Sequence, residues 1–240
     1  MDIKTMFPNL SLMWSRWSEY EIIRQTDNGI EKEYIVPVPG AEQITFDCTE
    51  RTGAMIESAI LIGEAIVKEN MPTVPINSLC ANFASQFGLL GQMVGTDPAS
   101  MAIHNNMAPI HYPLNSERYG EELSYFQECF VNLYRHFTST YGYYPRGPKT
   151  GLGLYGTLNY RVTQGRTPQI IWGVDSLEAV LRLAYASLIT SEKPALKVCK
   201  NCGKIYYNSH AKSEFCGAKC RNQYNVKMFR LREKKNSQNN

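Results

Sequence analysis

Four of the seven cysteines lie within 22 residues near the C-terminus, as Cys199-Lys200-Asn201-Cys202-Gly203-Lys204 followed by Cys216-x3-Cys220. Thiolates paired at such short spacings, in a chain without export features, point to metal ligation rather than disulfides. A Cys-x2-Cys-Gly-Lys turn aims backbone amides at both sulfurs, and Gly203 can take the positive φ that closes it. With a helix starting just after Cys216, Cys220 falls in its first turn. One Zn2+ can then collect both pairs in a closed tetrahedral sulfur shell. Between the pairs, Ile205-Tyr206-Tyr207 reads as a strand, Asn208-Ser209-His210 as a turn and Glu214-Phe215 as a return strand. Knuckle, hairpin and helix make a treble-clef-like finger. His210 could replace a cysteine, but four thiolates already complete the shell, so it reads as a turn residue or a phosphate contact.

The residues after Cys220 suggest what such a finger would touch. Val226, Phe229 and Met228 are expected to pack on the hairpin, leaving Arg221, Asn225 and Arg232 accessible with Lys227 and Arg230 nearby. Arginine and asparagine make bidentate contacts to guanine and adenine edges, and lysines neutralise phosphates. Lys200, Lys204 and Lys219 add to the same basic surface. From Lys197 to Lys235 there are 11 basic residues against Glu214 and Glu233, a net +9 within a chain whose total is +3. The remainder therefore carries −6. An acidic body with a basic terminus reads as a nucleic-acid-facing end, since an ordinary solvated face mixes its signs.

The pattern C-x2-C-G-K-x-Y…F-C-x3-C-R-N, preceded by an Ala/Leu-rich helix, resembles bacterial CGNR-type zinc-finger proteins over Asp175 to Arg232. Of the name-giving tetrapeptide, Cys220 and Asn222 match, while Arg221 stands for Gly and Gln223 for Arg. The resemblance implies an N-terminal, mostly helical ABATE-like domain joined to a C-terminal finger, in a transcription regulator. Asn82-Phe83-x3-Phe87-Gly88-Leu89-Leu90-Gly91 echoes that upstream domain.

Other chemical signals weigh less. Gly151-x-Gly153-x2-Gly156 matches a dinucleotide fingerprint by letter, but a strand-like segment follows where a helix should. His104 and His111 stand seven apart in a loop without paired carboxylates. His136 reads as a surface or packing residue, and Cys48, Cys80 and Cys129 as buried small hydrophobes. Asp47, Glu50 and Glu57 lack an opposing group. No constellation supports an enzyme.

The elements that must position the finger follow from periodicity. The first 48 residues are aromatic-rich and irregular, with a strand-like Ile35-Val36-Pro37-Val38 that its prolines would confine to a sheet edge. Helices are expected at 51–70, 77–87, 116–141 and 177–191, packed through Ile62, Ile66, Phe126, Phe130, Leu133, Leu181 and Ala184. The last helix carries the form of a capping box at Asp175-Ser176-Leu177-Glu178. Leu154–Val162 and Gln169–Trp172 can pair as strands around Gly165. No run approaches the ~18 apolar residues of a membrane span, and the N-terminus lacks a signal-peptide pattern, so a cytoplasmic location is expected. The expectation is an α+β chain: a mainly helical body over 1–193, the finger over 194–233, and a disordered polar tail over 234–240. Its function reads as zinc-dependent nucleic-acid binding, DNA before RNA, with the body as sensor, homodimer or partner module. The alternative is a stress- or phage-related adaptor in which the finger is structural or binds protein.

Overall fold

The computed structural model describes residues 7, 13–27, 29–68, 74–91, 120–140, 158–174, 176–191, 195–208, 210 and 212–238. His104, His111 and Gly151-x-Gly153-x2-Gly156 lie outside the described residues. The chain divides into two compact units, Met1–Ala186 and Ser187–Asn240. The architecture is α+β, with small antiparallel sheets beside the helices.

The strand expected at 35–38 is the end of β3, and the N-terminal residues expected to be irregular hold, among the described residues, β1 (Met13–Trp17), β2 (Tyr20–Asp27), β3 (Ile30–Pro37) and β4 (Gln43–Asp47). β1 pairs with β4, with Trp14 opposite Phe46. β2 and β3 form a hairpin in which Asp27 faces Ile30 across the two-residue Asn28-Gly29 connection, with Gly29 at φ 80°. Gly29 suits that turn because a two-residue hairpin connection needs positive φ. A short β5 (Glu121–Glu122) joins the other side of β3, making β3 central rather than an edge. Pro37 is tolerated there because β5 reaches only Tyr34 and Ile35.

Helices α1 (Thr52–Lys68), α2 (Ile76–Phe87) and α3 (Leu123–Thr140) build the core against β3. Residues 116–119 and 141 lie outside the described set, so only the 120–140 part of the third expected helix can be compared, and β5 takes positions 121–122 of it. Phe83 is the hub: its ring centroid stands 5.0 Å from Phe87, 6.3 Å from Phe126 and 4.7 Å from Phe130. Ile62, Leu133, Leu181 and Ala184 are buried as expected, whereas Ile66 is half-buried. Gly63 lets α1 approach α3 closely, since a Cβ there would overlap the Phe130 carbonyl and the Tyr134 side chain. Cys48, Cys80 and Cys129 are buried, as expected. Burial pushes the last two up to about 12, which keeps them protonated.

The Gly88–Gly91 turn after α2 is held by polar groups that the sequence did not flag. The buried Glu121 carboxylate accepts the amides of Leu90 and Gly91 at 2.8 and 2.5 Å. Trp14 Nε1 donates to the Leu89 carbonyl at 3.2 Å, and Gly88, at φ 98°, leaves room for that indole. The Leu90 carbonyl accepts the Glu178 amide at 2.9 Å, attaching the start of α4 (Leu177–Ile189) to the same turn.

Asp175, the expected cap of α4, lies outside the described residues. Ser176 Oγ accepts the Ala179 amide at 3.1 Å. The Glu178 carboxylate meets Tyr125 Oη and the Arg182 guanidinium. Burial raises the Glu178 pKa, with Arg182 opposing. His136 packs edge-on to Tyr185 and shares a 2.9 Å hydrogen bond with its hydroxyl. Asp47 binds the Thr49 amide and hydroxyl, which gives it a turn-forming role. Strands β6 (Asn159–Val162) and β7 (Ile170–Gly173) pair around Gly165 as expected over the described residues. No helix among the described residues is long and apolar enough to cross a membrane.

Candidate metal centre

The second unit begins at the end of α4 and holds β8 (Leu196–Val198), β9 (Ile205–Tyr207) and α5 (Ala218–Gln238). β9 is a strand as expected, but its partner is β8, with Leu196 opposite Tyr207 and Val198 opposite Ile205. Glu214-Phe215 is not a return strand. The hairpin therefore encloses the Cys199–Lys204 knuckle at its turn. The knuckle is closed by the Cys199 amide donating to Lys204 O at 2.9 Å and the Gly203 amide donating to Cys199 O at 2.9 Å. Gly203 takes φ 72°, the left-handed conformation expected of it.

Cys216 lies two residues before α5 and Cys220 in its first turn, so the helix carries the second pair toward the knuckle. The four sulfurs of Cys199, Cys202, Cys216 and Cys220 all lie within 4.8 Å of one another. Cys202 and Cys216 are 3.7 Å apart, and Cys216 and Cys220 3.5 Å. A disulfide would need about 2.05 Å. Four sulfurs around one tetrahedral ion, each at about 2.3 Å, stand about 3.8 Å from one another. The arrangement fits a metal ion and not a pair of disulfides.

The local electrostatics already favour one thiolate. Burial opposes ionisation of Cys199, but the amides of Cys216, Cys202 and Asn201 and the Cys202 thiol bring it down to about 6. Cys216 is pushed up to about 12, by burial first and then by the sulfurs around it.

The frame around the sulfurs differs from the expected packing in one respect. Val226 and Phe229 do not cover the hairpin; they are 50% and 61% exposed. Tyr224 packs instead, its ring 5.2 Å from Phe215, and Met228 is half-buried beyond it. Asn201 Nδ2 donates to Gln223 Oε1 at 3.0 Å, tying knuckle to helix. His210 is exposed and its amide caps Asn208 Oδ1 at 2.8 Å, a turn role away from the sulfurs.

Lys200, Lys204, Lys219, Arg221, Asn225, Lys227 and Arg230 are all exposed. Lys200 is engaged in an ion pair with Glu214. At about 100° per residue, Lys219, Lys227, Arg230 and Lys234 form one stripe along α5, and Arg221, Asn225 and Arg232 a second. Asn222, Val226 and Phe229 form the ridge between them. An open groove is lined by Asn222, Val226, Lys227, Arg230, Leu231 and Lys234. The helix continues to Gln238, through residues read from the sequence as a disordered tail. Comparison with family models, curated proteins and solved structures returns no match.

Proposed function

We propose that the C-terminal unit is a zinc-held, treble-clef-like finger that binds nucleic acid, with duplex DNA as its target, in a chain with a regulatory role. The observation that carries this is the four-sulfur cluster at the root of a helix whose exposed side bears two basic stripes. Four thiolate ligands select zinc, and a closed shell gives it a structural task. Four thiolates and one Zn2+ together leave about −2, which the +9 of Lys197–Lys235 outweighs. The ridge of Asn222, Val226 and Phe229 suits base edges and thymine methyls, and the flanking stripes suit phosphates. The resemblance to CGNR-type fingers points the same way, with the acidic body as sensor or partner module. Anisotropy titration of the full chain with duplex DNA and duplex RNA, before and after chelation, tests the reading. Tight DNA binding that disappears with the metal is expected. DNA binding that is absent, or unchanged by chelation, rejects it.

A second reading has its own observation. Val226, Phe229 and Leu231 are 50%, 61% and 45% exposed on one helix. Large apolar side chains left in water mark protein contacts as well. In that reading the finger is the structural part of an adaptor, and charge changes on α5 would leave its partner bound.

A further inference from the structure

The β6–β7 hairpin of the body is unlike the other sheets. Tyr160 pairs with Trp172 and Val162 with Ile170, which puts these four side chains on one face of a two-stranded ribbon. That face is uncovered: Tyr160 is 67% exposed, Val162 58% and Ile170 46%. Trp172 is half-buried, propped by Phe7 at 5.4 Å and by Tyr160 at 6.0 Å, both edge to face. The pair makes a fixed pillar with an open phenol ring beside it.

Charge decides what fits. From Leu158 to Val174 there is no acidic residue, while Arg161 and Arg166 are both exposed, in a body that is otherwise acidic. The four apolar side chains expose roughly 400 Å² together, about half of what each partner of a standard protein interface buries. A second copy held by this face alone would be weak, and its arginines would face like charges. A polyanion with flat apolar faces meets both features. We propose that the β6–β7 hairpin binds single-stranded nucleic acid, with unpaired bases lying on Tyr160 and the Val162–Ile170 pair, and with Arg161 and Arg166 on the adjoining phosphates. Aromatic platforms flanked by basic groups bind single strands without reading sequence, because every base has a π-face. The ribbon is only about 5 Å wide, so an arginine rooted on its back can reach past the edge. The proposal takes its class of partner from the nucleic-acid reading of the finger, but it rests on different residues.

The test uses the full chain with four probes: labelled oligothymidylate of about 20 nucleotides, a duplex of equal length, phosphatidylcholine–phosphatidylglycerol vesicles, and sedimentation for self-association. Tyr160→Ala is expected to weaken oligothymidylate binding about tenfold, and Tyr160→Phe, which keeps the ring, to leave it within twofold. Arg161→Ala with Arg166→Ala should weaken it and flatten its salt dependence. Duplex affinity should change less than twofold in each. Oligothymidylate binding that is absent in the native chain, or equal in Tyr160→Ala, overturns the proposal. So does a Tyr160→Ala effect that appears on vesicles or self-association instead. Charge reversal at Lys219, Arg221 and Lys227 separates the two sites. Loss of duplex binding with oligothymidylate binding retained supports both; oligothymidylate binding by a native chain that ignores duplex ends the finger reading and leaves the hairpin standing.

Discussion

Cys202 and Gly203 show how much the finger asks of single residues. Cys202→Ser removes one of four ligands and should abolish stoichiometric zinc, read as one ion per native chain and none per variant by elemental analysis. Structural zinc supplies about 10 to 16 kcal/mol of apparent binding free energy at neutral pH, far above the stability of so small a unit. Loss of the β8–β9 and α5 signals in the variant, with the body intact, is therefore expected; an unchanged finger would refute the metal. Gly203→Ala is a milder probe. A Cβ there meets nothing within 4 Å, so the cost is conformational alone, about 1 kcal/mol, and zinc should stay bound. The cysteines and this glycine were legible in the sequence because ligand chemistry fixes spacing. Glu121 was not, because a lone carboxylate beside Glu122 gives no sign that folding will bury it against two backbone amides.

Among the elements, the close pair α1 and α3 depends on Gly63. Gly63→Ala would push a methyl into the Phe130 carbonyl, a rigid backbone atom, and the helices must separate to admit it. Overpacking of this kind costs typically 1 to 3 kcal/mol, which should be read as a lower denaturation midpoint of the body with the zinc content unchanged. The α3–α4 contact carries a pH term. Burial lowers the His136 pKa, so protonation favours the unfolded chain. The contribution of neutral His136 is present above the unfolded value of about 6.5 and is lost as pH falls through the lower folded value. His136→Gln should flatten the fall in body stability on acidification in that window. Helix periodicity identified α1, α2, α3 and α4 to within a few residues over the described ends. Ile35–Pro37 of β3 was legible, but β2 and the start of β3 escaped because Glu21, Arg24, Glu31, Lys32 and Glu33 break the apolar alternation. The Asn28-Gly29 pair was the signal that could have revealed their hairpin. In the finger, β9 was placed and its partner was not. Strand pairing across a metal knuckle is set by where the chain re-enters, upstream at Leu196, and no local pattern encodes that.

For the whole molecule, the division of charge was fully legible: −6 outside Lys197–Lys235 and +9 within it. What the sequence misjudged was how the basic residues are displayed. With Val226 and Phe229 turned outward, the ridge between the two stripes is apolar, and Lys200 is engaged by Glu214. If Lys204, Lys219, Lys227 and Arg230 each meet a phosphate, four contacts give a log–log salt slope near −3.6 for duplex DNA. Arg221→Ala should lose more affinity on a preferred sequence than on random duplex if it reads a base, by about 1 to 3 kcal/mol, whereas Lys227→Ala should weaken both alike and lower the slope by about one. A flexible basic tail could match the slope but not this difference, because it would not hold Arg221 and Asn225 in register. Charge reversal at Lys219, Arg221 and Lys227 takes the segment from +9 to +3 without touching a cysteine. The variant should keep its zinc and lose duplex binding at moderate salt. A variant that keeps both its zinc and its duplex affinity would leave the helix as a protein-binding or purely structural element, and the exposed Val226, Phe229 and Leu231 as the place to seek its partner.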